Sequence, residues 1–265
     1  QIMGYGIRSP YYPDVAITPR MLLSHTSGLQ NSLTYSKFVE RTFLSDTLPC
    51  LKELTSGSGK YYAADIWNTH LPGTYFLYCN FNYGLIAAIV EKLSGQRFDI
   101  FCKENIFAPL GTDGGFNIGD IRNIDNVAVL YRSPDGDWQP QADNYKGEKP
   151  KWSDLKNYTP GVNPLIFSPA GGLHLSSLGL SRFMMMHINN GIYKDVRILN
   201  DSTSQLMKMT QWKYNGKNGE TYYNLFLQWG LGFQLAAGTE NGDAVVPCEL
   251  FAGHTGDVFG LISDM

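Results

Sequence analysis

The most regular stretch of the chain lies between residues 83 and 94. There Leu85, Ile86, Ile89, Val90 and Leu93 recur at the spacing of one helix face, and Gly95 supplies a stop. The same reasoning predicts a helix over 19–27, with Thr18 as its cap, Pro19 in the first turn and Gly28 as terminator. Further helices are predicted over 98–107, closed by Pro109, over 178–189, after Ser176 and Ser177 and ending at Gly191, and from Ser202 to Met209. Between 120 and 164 the periodicity dissolves into Asp, Gly, Pro, Trp and Tyr, which predicts a long surface excursion. Strand character comes late: a short strand over 196–199, then 225–236, 244–252 and 258–263. The expected class is α/β of the mixed α+β kind, with a helical lobe over 1–224 and sheet strands over 225–265. Strands gathered at one end need partners, so the predicted sheet is incomplete.

Composition narrows the function classes. The chain has 265 residues, 43% of them hydrophobic and 17% charged, which is enough apolar chain for a folded core. A net charge of −3 leaves no basic field to hold a phosphate backbone, so nucleic acid is not an expected partner. The apolar run over 85–90 is far shorter than the roughly 20 residues a membrane-spanning helix needs. Cys50, Cys79, Cys102 and Cys248 contain no C-x-x-C pair, which argues against structural zinc and reads as free thiols.

The five histidines show no H-x-x-x-H or H-E-x-x-H spacing, so no metal site and no cofactor are expected. His187 lies beside Phe183 and Met184 on an apolar helix face and reads as a hydrogen-bonded core histidine. His254 stands in Gly253-His254-Thr255-Gly256, where glycines let a ligand approach backbone N–H groups; a plain turn is the other reading. Tyr78-Cys79-Asn80 precedes the strongest helix. It is either a buried aromatic with a helix cap, or a phenol and carboxamide that hold and deprotonate a substrate. A phenol near pKa 10 becomes a base only if neighbouring cations lower it. Ser56-Gly57-Ser58-Gly59-Lys60 lacks the remainder of a phosphate loop and reads as a surface loop. Ser153-Asp154-Leu155-Lys156 has S-x-x-K spacing but falls in the surface excursion, where it reads as chance.

Taken together and in order, these pieces carry a resemblance. Residues 17–29 contain Arg20 and Leu22-Leu23-Ser24-His25-Thr26-Ser27-Gly28-Leu29, similar to the ITxRxLLxHTSGL signature of the serine β-lactamase and penicillin-binding-protein-like family, its class C branch above all. Pro72-Gly73 with Tyr78-Cys79-Asn80 resembles that family's PG…YSN element, and Ala108-Pro109-Leu110-Gly111 its PLGM turn. Ser168-Pro169-Ala170-Gly171-Gly172-Leu173 resembles its AGGL segment, Trp229-Gly230-Leu231-Gly232-Phe233 its GLGW strand, and His254-Thr255-Gly256 its K/H-T-G triad.

The resemblance implies a β-lactamase/transpeptidase-like fold and a serine hydrolase that acts through an acyl-enzyme on a β-lactam, a D-amino-acid peptide or a small ester. By the same resemblance Tyr78 is the general base and acid, and Asn80 holds the substrate amide or the lysine of S-x-x-K. His254 replaces the usual lysine and binds a substrate carboxylate with Thr255 and Gly256, and the amide of Asp257 serves the oxyanion hole. His25 and Ser27 are structural, and an exported, periplasmic protein is implied. The neutral histidine tilts the expectation from penicillin hydrolysis towards esterase or peptidase activity. The alternative is a catalytically inactive member that binds cell-wall or peptide ligands.

One departure is severe. Nothing upstream of His25 has S-x-x-K spacing, and Ser153 lies on the wrong side of Tyr78. The expectation is an internal fragment of a larger hydrolase, short of outer sheet strands and therefore of low stability by itself. Residues 1–265 are expected to hydrolyse neither nitrocefin nor a p-nitrophenyl ester; turnover that Tyr78→Phe abolishes would contradict this.

Overall fold

The computed structural model describes residues 2–149, 155–236 and 249–265. Its helices are α1 (Pro19–Leu23), α2 (Leu33–Leu44), α3 (Leu51–Thr55), α4 (Asn80–Ser94), α5 (Phe98–Cys102), α6 (Ser177–Ile188) and α7 (Asp201–Lys208). The strands are β1 (Gly114–Gly115), β2 (Leu130–Arg132), β3 (Gln139–Ala142), β4 (His174–Leu175), β5 (Ile192–Tyr193), β6 (Val196–Arg197), β7 (Trp212–Lys213), β8 (Gln228–Trp229), β9 (Gln234–Ala236), β10 (Phe251–Gly253), β11 (Thr255–Val258) and β12 (Leu261–Asp264). Antiparallel order β10-β9-β8-β7 makes the one four-stranded sheet among them, and β11-β12 is a hairpin that prolongs β10. This is the mixed helix-and-sheet architecture expected. No helix among the described residues is long and apolar enough to cross a membrane.

Local chemistry places several boundaries where expected. Thr18 caps α1 by accepting from the Met21 N–H, and Ser176 caps α6 by accepting from the Gly179 N–H. Gly95 ends α4 with φ 71°. The predicted helix over 98–107 is α-helical to Cys102 and then widens into a π turn over Lys103–Phe107. The predicted strand over 225–236 is two strands, because Gly232 adopts φ 79° and the Gly230 N–H bonds Phe233 O across a tight turn. The stretch 258–263 is likewise broken: Phe259 and Gly260 both have positive φ and link β11 to β12. Of the expected strand 244–252, residues 244–248 lie outside the described residues.

Helix α4 runs through the main core, yet its buried face is not the one apolar periodicity predicts. Phe81, Leu85, Ala87 and Ala88 are buried with Asn82 and Glu91, while Leu93 is 70% exposed. Two polar residues claim the inner face, so the apolar stripe turns towards Phe81 and away from Leu93. Phe81, Leu85 and Ala88 pack with Leu22, Leu29, Phe38, Leu51, Leu54, Ile66 and Trp67. A second cluster of Phe76, Trp212, Phe226 and Trp229 lies under the four-stranded sheet.

Glu91 is fully buried and serves as a hub. One carboxylate oxygen accepts from Phe98 N–H at 2.8 Å; the other accepts from Tyr158 O–H at 2.7 Å and Gly161 N–H at 2.6 Å. It thereby fastens α5 and the 158–161 turn to α4. Glu91→Gln keeps the shape but turns one acceptor into a donor facing a donor. The expected cost is about 1–3 kcal/mol, read as a lower urea midpoint with an unchanged slope.

Candidate active site

The site begins where α1 ends. That helix was expected to run to residue 27 and stop at Gly28, but it closes at Leu23 in a Schellman motif. Thr26 N–H bonds Met21 O at 2.9 Å, and His25 N–H bonds Leu22 O at 3.3 Å. The left-handed position that usually falls to glycine is taken by His25, with φ 54°. This reversal buries the imidazole against residues 77–79. Leu77 N–H donates to His25 O at 2.9 Å, and Cys79 N–H donates to His25 Nδ1 at 3.0 Å. A backbone N–H can only donate, so Nδ1 is unprotonated and the ring carries its hydrogen on Nε2, which has no partner among the described residues. Burial, and then the charge of His254, push the His25 pKa down to about 3.

Tyr78 stands in an aromatic enclosure. His25 lies 4.4 Å from its ring, Phe226 stacks at 5.3 Å, and Trp229 meets it edge-on at 5.8 Å. The Tyr222 hydroxyl donates to the Tyr78 carbonyl at 3.3 Å. Tyr222, Tyr223 and Asn224 all have left-handed φ, at 51°, 60° and 67°, so this wall is a strained turn of three non-glycine residues. Burial, then Tyr222 and Cys79, push the Tyr78 phenol up to about 12. Among the described residues the rings packed around it are those of His25, Tyr222, Phe226, Trp229 and His254.

The partner of Tyr78 is His254. Its Nε2 lies 3.4 Å from the Tyr78 hydroxyl, and its Nδ1 lies 2.5 Å from Thr255 O. A carbonyl only accepts, so in the neutral ring the proton sits on Nδ1 and the Nε2 lone pair faces the phenol, which donates to it. Of the sequence candidates, Tyr78, His254 and Thr255 therefore come together. Asn80 opens α4, with its backbone N–H on Asn31 Oδ1 at 3.0 Å; its carboxamide has no hydrogen-bond partner among the described residues.

Strand register places the remaining candidates. His254 and Met265 exchange both backbone hydrogen bonds, at 3.1 and 3.2 Å. In an antiparallel ladder such pairs alternate, so Gly256 also faces β12 while the N–H groups of Thr255 and Asp257 face the other edge. That edge is paired by β9 only as far as Gly253↔Gln234. The Asp257 amide thus lies on a strand edge with no partner strand among the described residues, and its side chain is exposed.

Sequence reasoning does not single out Asn82, although it is wholly buried beneath the site. Its Oδ1 accepts from Ser27 Oγ at 2.6 Å, and its Nδ2 lies 3.2 Å from His25 Nδ1. The available signal was a second carboxamide in Asn80-Phe81-Asn82, at the start of an apolar helix. Tyr222 had no sequence signal beyond its aromaticity. His187 is buried in the core as expected, edge-on to Phe183 and Phe233, but its Nδ1 has no hydrogen-bond partner among the described residues; burial and then Lys208 push it down to about 4. Cys50, Cys79 and Cys102 are free thiols, as read. Residues 56–60 form a turn, with Lys60 over the Tyr61 ring. Ser153 and Cys248 lie outside the described residues. No group of side chains among the described residues is arranged to hold a metal ion.

The Beta-lactamase family profile matches residues 9–262. Penicillin-binding protein 4 of Amycolatopsis lactamdurans is 27% identical over 194 residues, which cover 72% of this chain and 44% of that protein. A D-aminopeptidase of Cereibacter sphaeroides is 28% identical over 141 residues, covering 51% of this chain and 25% of that protein. The chain thus spans less than half the length of these curated relatives. Among solved structures, a D-stereospecific amidohydrolase from Streptomyces sp. superposes with a TM-score of 0.58 at 19% identity, over 96% of this chain and 65% of that one.

The buried histidines set a pH dependence. His25 is held neutral in the fold, whereas an unfolded histidine takes a proton below about 6.5. Its contribution to stability is complete above about pH 6.5 and is lost as pH falls towards 3; His187 acts with the same sign, towards about 4. Thermal midpoints should fall between pH 7 and pH 5, and the fall should be shallower in His25→Asn.

Proposed function

The chain belongs to the beta-lactamase family, a hydrolase-related family, and on that premise we propose that it serves a serine hydrolase that forms an acyl-enzyme on an amide or peptide of a D-amino acid. The substrate class follows the D-aminopeptidase and amidohydrolase relatives. The observation that carries the reading is the Tyr78 hydroxyl facing His254 Nε2 at 3.4 Å, beside an open strand edge.

This pairing suits a proton relay through Tyr78 to His254. As a serine attacks the substrate carbonyl, its Oγ proton passes to Tyr78 Oη, and the phenol's own proton passes to His254 Nε2. The phenol therefore never needs to exist as a free phenolate, which matters for a group pushed up to about 12. When the C–N bond breaks, the protons return by the same route to the leaving amine. Water repeats the cycle on the acyl-enzyme. Asn80 holds the substrate amide, and the Asp257 N–H supports the oxyanion. The serine comes from an S-x-x-K element that the 265 residues do not supply in the family's order, and an exported location accompanies this reading.

A second reading rests on one observation, the burial of the Tyr78 phenol among aromatic rings, which holds it in the protonated form. It is a member that binds such ligands without reacting. Full-length protein treated with D-alanyl p-nitroanilide, an ester analogue and a fluorescent penicillin, then quenched and mapped by mass spectrometry, separates the two. The proposal expects a serine adduct and amide turnover that drops at least about 100-fold in Tyr78→Phe. Saturable binding with no adduct establishes the second reading, and neither adduct nor binding refutes both.

A further inference from the structure

His25 carries two unfavourable features at once. It occupies a left-handed position that glycine would fill without steric cost, and its buried Nε2–H has no hydrogen-bond partner among the described residues. Helix termination explains neither, since glycine ends such helices better. What the histidine adds there to its backbone carbonyl, and glycine could not, is a second, side-chain acceptor, so that one residue accepts on both sides of Tyr78. Its carbonyl oxygen takes the Leu77 N–H at 2.9 Å, and its Nδ1 takes the Cys79 N–H at 3.0 Å. One residue thus grips the Phe76–Leu77 and Tyr78–Cys79 peptide groups, while its ring lies 4.4 Å from the phenol ring.

We infer that His25 is a positioning residue for Tyr78, fixing the backbone from which the phenol reaches His254. The inference rests on the reading that Tyr78 moves the proton. The hydroxyl is at the far end of the side chain, so a slight pivot of the 77–79 peptide is amplified there. Misplacement of a reacting group by about 1 Å is enough to cost about 100-fold in rate. The grip does not drift across the neutral pH range, because burial keeps His25 in its neutral form. Nor is His25 itself loose: Asn82 Nδ2 shares Nδ1, and Ser27 orients Asn82.

Two substitutions separate the grip from simple packing. In His25→Asn a side-chain oxygen takes the place of Nδ1, and asparagine tolerates the left-handed backbone. In His25→Phe a ring remains and the acceptor is lost. The readout is the 15N shift of His254 Nε2 and its response to Tyr78→Phe in each background, together with hydrogen exchange of the Leu77 and Cys79 amides. The expected result is that His25→Asn keeps the response and the protection. His25→Phe should lose most of the response and exchange the Cys79 amide at least tenfold faster. An undiminished response in His25→Phe overturns the inference. If that variant does not fold, His25→Asn decides alone, because loss of the response in a folded His25→Asn protein also overturns it. The readout needs no turnover, so a protein that retains it yet acylates nothing refutes the proposed reaction and leaves the positioning role intact.

Discussion

A carboxamide with no access to water must find its partners inside the protein, and Asn82 is that carboxamide here. Among the described residues its oxygen is satisfied by Ser27 and its nitrogen by His25, so the first turn of α4 and the turn after α1 are held in one relative position. Leu29 N–H on Ser27 Oγ at 3.1 Å extends the frame into the next residues. A misplaced α4 would leave these groups buried and unpaired, a penalty of about 1–3 kcal/mol for each. The apolar packing of Phe81, Leu85 and Ala88 supplies the bulk of the cohesion. The polar frame selects which of several similar packings is adopted.

The chemistry of the region follows from how little charge it contains. Tyr78, His25 and Cys79 are all held in their neutral forms by burial. In such surroundings a free phenolate is costly, and a phenol that gives up one proton while taking up another stays neutral. Trp229 and Phe226 exclude water from one side of the pair, while the strand edge beyond Gly253 leaves the other side accessible. Trp229 is itself anchored, its indole N–H donating to Leu23 O at 3.2 Å. The sheet and the end of α1 therefore meet at the same backbone carbonyl.

Features written in a few neighbouring residues were legible in the sequence. The caps at Thr18 and Ser176 and the stop at Gly95 each depend on one side chain or one missing Cβ. Features decided by tertiary partners were not. Gly28 was the obvious terminator for α1, but the chain turns at His25 because that residue has bonds to make with residues 77–79. Leu93 belongs to the apolar stripe and still faces solvent, because Asn82 and Glu91 claim the inner face. Residues 225–236 alternate like a single strand, and only the positive φ of Gly232 divides them. The pairing of Tyr78 with His254 joins positions 176 apart, so no local pattern reveals it; the order of the motifs did.

That separation has a consequence for how the protein comes into being. The indole anchor joins positions 206 apart, and the phenol–imidazole pair joins positions 176 apart. Contacts of such range form late and slowly, after shorter loops have closed. On the ribosome, His25 and Tyr78 emerge together and can build their frame early, while His254 is still to be synthesised. The Tyr78–His254 pair therefore forms after the frame of residues 25–82, on a scaffold already begun around one of its two members.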